Sequence, residues 1–277
     1  MKSLYDVPAP AKLNLFLHIV GRRPDGYHLL ESAFMLIDWC DTLHFELRSD
    51  GEITREDLAV ALPAEDLVVR AARALKAYSG TPLGVHIAID KQIPSQAGMG
   101  GGSSDAASTL LALNRLWQLN LGLDALLPLG LALGADVPFF LGGHNAWISG
   151  IGEKMLPIDL SPAQFLVVKP SQGLETQRIF SDPDLKRDTE PAILAGFIAD
   201  AYGFGRNDLQ MVAERICPAV SQALALLKSR DLQGRMTGSG SAVFAKTTKA
   251  VSVGAVPGFQ MRPCSNLQQH PLLGWAA

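Results

Sequence analysis

The chain has 277 residues, 48% hydrophobic and 18% charged, the balance of a folded globular protein rather than a disordered one. Its 24 basic and 27 acidic residues leave a formal charge of −3, so no broad basic field is available for nucleic acid or an anionic membrane, and any anion site must be local. Cys40, Cys217 and Cys264 are odd in number and far apart, which offers neither a disulfide framework nor a zinc knuckle and fits a reducing cytoplasm.

The first twelve residues carry neither the continuous apolar stretch of a secretory signal nor the Arg/Ser richness of a transit peptide, so no leader is expected. Alternation over residues 13–20 predicts a strand, and in Pro10-Ala11-Lys12-Leu13-Asn14-Leu15 it places Lys12 and Asn14 on one face with the leucines on the other. Taken alone, solvent exposure of that lysine is the simpler reading. The segment Arg22-Arg23-Pro24-Asp25-Gly26-Tyr27-His28 is a donor-rich turn with one aromatic, usable for recognition and equally as a solvated connection. Strands are predicted over 43–47 and 85–89, with a helix over 67–78 between them.

A break at Asp90-Lys91-Gln92-Ile93-Pro94 leads into Gly98-Met99-Gly100-Gly101-Gly102-Ser103-Ser104-Asp105, ahead of an amphipathic pattern over 106–119 that predicts a helix capped by Ser103, Ser104 or Asp105. Four glycines in five positions let a backbone approach a ligand closely, and a helix start offers N–H groups and a positive dipole end. The ligand this suggests is a phosphate. No lysine precedes the serines as a Walker loop requires, and Ser103 stands where a dinucleotide fingerprint needs its third glycine.

The most apolar stretch, 126–141, is interrupted by Pro128, Asp136 and Pro138, so no transmembrane segment is expected. Asp136 lies in Gly134-Ala135-Asp136-Val137-Pro138-Phe139-Phe140, a run otherwise suited to burial; its carboxylate either meets a cation or donor, or caps a local turn. A strand is predicted over 164–168, helices over 208–216 and 219–229, and a strand over 242–245, entered through the glycine-bearing turn Thr237-Gly238-Ser239-Gly240-Ser241. Residues 258–269 have loop character. The pattern is α+β, with lobes expected at 1–156 and 157–277. The six histidines show no paired metal spacing, and no serine occupies a G-x-S-x-G elbow.

Together, Pro10 to Leu15, Arg23 to His28, Ile93-Pro94 through Ala107, Gly134 to Pro138 and Thr237 to Gly240 resemble the GHMP kinase superfamily over nearly the whole chain. The resemblance implies two lobes, one like ribosomal protein S5 domain 2 and a C-terminal one that is ferredoxin-like, with the active site between them. It also implies ATP as cosubstrate and Mg2+ as cofactor. Pro94, Ser95, Gln96, Ala97, Gly98, Met99, Gly100, Gly101, Gly102, Ser103 and Ser104 would wrap the nucleotide phosphates with Lys91 nearby, and Lys12 and Asp136 would be the catalytic pair. Met99 stands where leucine is more usual, and Ser95-Gln96-Ala97 where glycine can occur. Within the superfamily, Lys-Leu-Asn combined with Asp-Gly-Tyr-His implies a substrate bearing a cytidine diphosphate group, phosphorylated on a 2-hydroxyl in non-mevalonate isoprenoid precursor synthesis. Tyr27, His28 and Phe180 would hold its cytidine, with Asn14 and Thr176 adding polar contacts. Taken alone, Phe180 reads as a core residue. The serine hydroxyls at 103 and 104 are candidates for the metal. A sister kinase acting on a smaller alcohol and a nucleotide-binding regulatory module are the alternatives; no obligate protein partner is evident.

Overall fold

A computed structural model describes residues 2–248 and 253–276. It opens with β1 (Ser3–Arg22) and β2 (His28–Arg48), long antiparallel partners joined by the Arg23–Tyr27 turn, and both extend well past the predicted strands. Their pairing shifts register at four places, including between Pro10 and Lys12 and between Asn14 and Leu17. Such irregularities twist a strand and re-aim side chains, here around the two polar residues that interrupt an apolar stretch.

β3 (Ile53–Asp57) pairs in parallel with β4 (Gly84–Asp90), so a crossover is required, and α1 (Leu67–Ser79) supplies it. Asp66 caps α1 by accepting from Val69 N at 3.0 Å, and Gly80 ends it in the left-handed conformation at φ 66°. α2 (Gly101–Leu116) begins five residues earlier than the periodicity predicts. Gly100, at φ 69°, makes the turn into it, so Ser103, Ser104 and Asp105 lie inside the helix and none caps it. α3 (Leu123–Leu133) and α4 (Val137–Gly142) take up the apolar stretch, and β5 (Ala146–Ser149) and β6 (Lys154–Pro157) complete a six-stranded sheet in which β1 pairs with β2 off the order β3-β4-β2-β5-β6.

Further along the chain come β7 (Gln164–Pro170), α5 (Thr176–Phe180), α6 (Leu194–Ala199), α7 (Gln210–Ile216), α8 (Pro218–Lys228), β8 (Arg235–Met236), β9 (Val243–Thr247) and β10 (Phe259–Ser265). The second sheet is antiparallel in the order β10-β7-β9-β8. β10 overturns the loop expectation for 258–269: it is an edge strand, where Pro263 needs no outward ladder bond.

Three apolar clusters hold these layers. One lies between the first sheet and α1–α4; another packs the second sheet on α7 and α8. The middle one crosses between the sheets, joining Leu13, Leu15, Phe16 and Trp39 of the hairpin and Ala97 and Met99 of the glycine loop to Phe165, Val167, Ala242 and Phe244. Phe16 centres it, with ring centroids 5.1 Å from Trp147 and from Phe204. After β10 the chain returns to the first layer, where Leu272 is buried in its core and Arg115 stacks on Trp275. Among the described residues no helix is long and apolar enough to cross a membrane.

Candidate active site

A cavity of about 1060 Å³ opens where the glycine loop, the β1 polar face, the start of α4, α5 and the 238–240 turn converge. Lys12 enters it from β1. Its side chain is buried, against the exposure favoured for an isolated strand lysine, because β1 is covered by the glycine loop: Lys12 N donates to Met99 O at 3.0 Å. Its ammonium donates to Asn14 Oδ1 at 2.6 Å, lies 4.4 Å from the centroid of the Phe34 ring and sits 3.5 Å from Asp136 Oδ2. Aromatic face, amide oxygen and carboxylate together keep a positive charge in a site that would otherwise disfavour it.

Asp136 departs from the expectation of burial. Val137, Pro138, Phe139, Phe140 and Leu141 are buried, whereas the Asp136 side chain is 34% exposed and lines the cavity. It precedes α4 but makes no capping hydrogen bond, so the local-cap reading fails and the lysine pairing stands.

The Asn14 amide is oriented from behind. Asn14 Nδ2 donates to Ser32 Oγ at 2.9 Å, and Ser32 Oγ donates onward to the Phe16 carbonyl. The backbone Asn14 N donates to Thr237 Oγ1 at 2.8 Å, which ties the first sheet to the 237–240 turn. All three polar side chains are buried and satisfied.

The glycine loop serves protein packing as much as it opens space. A Cβ at Gly98 would overlap the Thr237 carbonyl oxygen and lie 2.9 Å from Gly240 N, so two glycine turns meet backbone to backbone. A Cβ at Gly101 would stand 2.9 Å from Ile93 Cγ2, while one at Gly102 meets only Leu67 Cδ1 at 3.5 Å. Gln96 holds φ 52°, a conformation glycine takes freely, which explains physically why glycine can stand in that stretch. The first intrahelical bond into α2 runs from Ser104 N to Gly100 O at 2.9 Å, so the amides of Gly101, Gly102 and Ser103 are the free donors of a 16-residue helix with no side-chain cap. They form an anion-binding end.

Pro94 through Ser103 line the cavity; Ser104 does not, being fully buried with no hydrogen-bond partner for its hydroxyl. Lys91 lines it too, with its ammonium between Asp41 and Asp105 Oδ2, the latter at 2.6 Å. Burial opposes that positive charge, but Asp105 and Asp41 outweigh it and hold Lys91 above its ordinary pKa. Burial above all, reinforced by Asp41 and opposed by Lys91, pushes the Asp105 carboxyl well up. Asp41 also accepts from the amides of Gln92 and Ile93 at 2.6 and 2.7 Å, fixing the chain that enters the glycine loop. Nothing in their local sequence marks Asp41 or Asp105 as partners of Lys91.

On the opposite wall, Thr176 Oγ1 is 2.7 Å from Ser239 Oγ, and Phe180 lines the cavity while packing on the edge of the core cluster under the second sheet. His28 packs on Phe180, ring centroids 5.2 Å apart, but lies outside the cavity lining. Tyr27 is 61% exposed at the hairpin tip and lies outside the cavity lining. Arg187, unmarked by any sequence pattern, donates to His28 Nε2 at 3.1 Å.

Residues 66–144 match the model of the GHMP kinases N terminal domain, and residues 190–253 that of the GHMP kinases C terminal. A 4-diphosphocytidyl-2-C-methyl-D-erythritol kinase of Albidiferax ferrireducens is 72% identical over 277 residues, covering 100% of this chain and 96% of the relative. One of Variovorax paradoxus is 60% identical over 295 residues, covering all of both. A crystal structure of 4-(cytidine 5'-diphospho)-2C-methyl-D-erythritol kinase superposes with a TM-score of 0.78 at 30% identity, covering 95% of this chain and 98% of that one. A mevalonate kinase of Methanococcus jannaschii shares the fold, with a TM-score of 0.68 at 15% identity over 96% of this chain and 98% of its own. On these matches, and with its glycine loop, lysine–aspartate pair and two sheets in place, the chain belongs to the GHMP kinase family and groups with its 4-diphosphocytidyl-2-C-methyl-D-erythritol kinases.

Proposed function

We propose that the chain transfers the γ-phosphoryl group of ATP to the 2-hydroxyl of 4-diphosphocytidyl-2-C-methyl-D-erythritol, a step of non-mevalonate isoprenoid precursor synthesis. The observation that carries the reading is that Lys12 and Asp136, 3.5 Å apart, share one cavity with the uncapped start of α2. The α2 amides and the 94–103 backbone bind the polyphosphate; Asp136 accepts or orients the hydroxyl proton, and Lys12 holds Asp136 ionised and meets charge developing on the transferred group. The transition state of phosphoryl transfer is loose, so alignment of the alcohol matters more than the strength of the base. Lys91 supports the nucleotide side through its hold on Asp41 and Asp105.

Magnesium neutralises charge on the phosphates when it is bound. Among the described residues no group of three His, Cys, Asp or Glu is placed to cage a metal, which fits a magnesium that arrives on the nucleotide, with the Ser103 hydroxyl as the cavity-side donor. Phe180 on the opposite wall, with His28 packed against it and Tyr27 exposed at the hairpin tip, takes the cytidine, with Asn14 and Thr176 as polar contacts. We divide the chain near residue 157 into a nucleotide-binding lobe and a second lobe, and place the enzyme in the cytoplasm, where its three free cysteines stay reduced.

The test is ADP release on incubation with ATP, Mg2+ and each of three alcohols. Turnover with the cytidyl compound and none with homoserine or mevalonate is expected; the reverse order would assign a sister kinase, and no turnover at all would leave a binding module.

A further inference from the structure

Asn207, in the connection between α6 and α7, belongs to none of the segments that carry the family resemblance, yet it is buried with its whole amide engaged. Oδ1 accepts from Leu209 N at 2.9 Å, an Asx turn that fixes which way the amide faces. Nδ2 then donates to Met236 O at 2.9 Å and to Gly238 O at 2.8 Å, the two carbonyls that flank Thr237. The residues on either side of Asn207 stand on β1: Leu17 N donates to Arg206 O at 2.9 Å, Asp208 N to Leu17 O at 2.8 Å, and Ile19 N to Asp208 Oδ2 at 2.9 Å. The clamp is therefore anchored to the strand that carries Lys12 and Asn14. What it holds reaches the rest of the site. Ser241 N donates to Gln96 O at 3.1 Å and Ala242 N to Ala97 O at 3.2 Å, so the turn is bonded to the backbone of the glycine loop. Thr237 Oγ1 receives Asn14 N, Ser239 Oγ meets Thr176, and Gly238 to Gly240 line the cavity.

We propose that Asn207 is a positioning residue for phosphoryl transfer: by clamping Met236 O and Gly238 O to the β1 edge, it sets the glycine loop, which holds the phosphate donor, in register with Lys12 and Asp136, which meet the acceptor. The inference rests on the kinase reading made above. Asn207 lies outside the lining of the active cavity, so its effect falls on the alignment of the reactants rather than on the grip on either one. Alignment is the sensitive quantity in this chemistry, where a misplacement of about 1 Å caused far from the reacting atoms costs on the order of 10²-fold in rate.

The decisive variant is Asn207→Asp, which keeps the size of the side chain and the acceptor for Leu209 N but turns a carboxylate toward two carbonyl oxygens. Burial and those oxygens raise the pKa of the introduced carboxyl, and its neutral form regains one donor hydrogen. Steady-state kinetics with ATP, Mg2+ and the cytidyl compound are compared with wild type across pH, alongside calorimetric ATP affinity and melting temperature. At about pH 8, kcat is expected to fall at least about tenfold with ATP affinity within about threefold of wild type, and the ratio of variant to wild-type kcat is expected to climb as pH drops toward about 6. An asparagine with only a structural role would lower the melting temperature and leave kcat per folded molecule alone. That result, a loss independent of pH, or a loss carried wholly by ATP affinity would overturn the proposal. A wild type inactive on every alcohol would refute the kinase reading and this inference with it, whereas an active wild type beside an indifferent variant removes Asn207 alone. Should Asn207→Asp fail to fold, Asn207→Ser, which retains a single donor, carries the same comparison of kcat with ATP affinity, and a wild-type kcat there would end the proposal.

Discussion

Asn14 Oδ1 lies 2.6 Å from Lys12 Nζ, and the amide cannot turn round, because its nitrogen side is committed to Ser32, whose own hydrogen goes to the Phe16 carbonyl. The direction of three successive hydrogen bonds thus aims a buried ammonium at Asp136, 3.5 Å away. Ser32→Ala removes the fixed acceptor and frees the amide to present N–H groups to a cation. We expect kcat to fall on the order of tenfold with both KM values nearly unchanged, and Ser32→Thr to keep activity. Steady-state kinetics of the two variants check this; an Ala variant with wild-type kcat would show that the orientation is fixed elsewhere.

Replacing Asp136 by Asn keeps the size of the side chain and removes the charge that faces Lys12. Turnover should drop by roughly 10²–10⁴, the range associated with a positioned acid or base, while calorimetric ATP affinity stays within about threefold of wild type. Near-normal turnover would remove Asp136 from the mechanism.

Gly98 and Gly102 sit in one loop yet carry different demands. A Cβ at Gly98 would run into the Thr237 carbonyl and Gly240 N, whereas one at Gly102 meets a single leucine methyl at 3.5 Å. Gly98→Ala should cost about 3 kcal/mol of unfolding free energy and Gly102→Ala less than about 0.5. Denaturant titration of the two variants measures the contrast, and equal stabilities would refute the backbone-to-backbone contact.

His270 is buried with Nδ1 accepting from Leu272 N at 3.0 Å and no partner at Nε2. Burial pushes its pKa down to about 4, below the 6.5 of an unhindered imidazole. The unfolded chain therefore binds a proton that the native state refuses, so this contribution is complete above pH 6.5 and is lost as pH falls toward 4, amounting to at most about 3 kcal/mol. His270→Asn retains an acceptor for Leu272 and should flatten the fall in melting temperature between pH 6.5 and 4.5. An unchanged slope would assign the acid sensitivity to other groups.

Much of this molecule was legible locally. The predicted helix at 67–78 stands at Leu67–Ser79, and the helix predicted over 219–229 is displaced by one residue, because an apolar face repeating at helical period has few other ways to be buried. The edge strand Phe259–Ser265 escaped the reading, since its partner at Gln164–Pro170 is remote in sequence and its own composition suits a loop. The start of α2 escaped it as well, because glycines contribute no periodicity.

The sequence by itself determined that a glycine-rich turn leads into a helix and that Lys12 and Asn14 share a strand face, since both follow from backbone geometry within a few residues. Only tertiary structure decided that Lys12 is buried and Asp136 open to the cavity, that Gly98 answers to Thr237 across 139 positions of chain, and that Arg187 meets His28 across 159. Burial and ion pairing depend on which surfaces the fold brings together, and the folding of two sheets onto one aromatic cluster sets that arrangement beyond the reach of any local pattern.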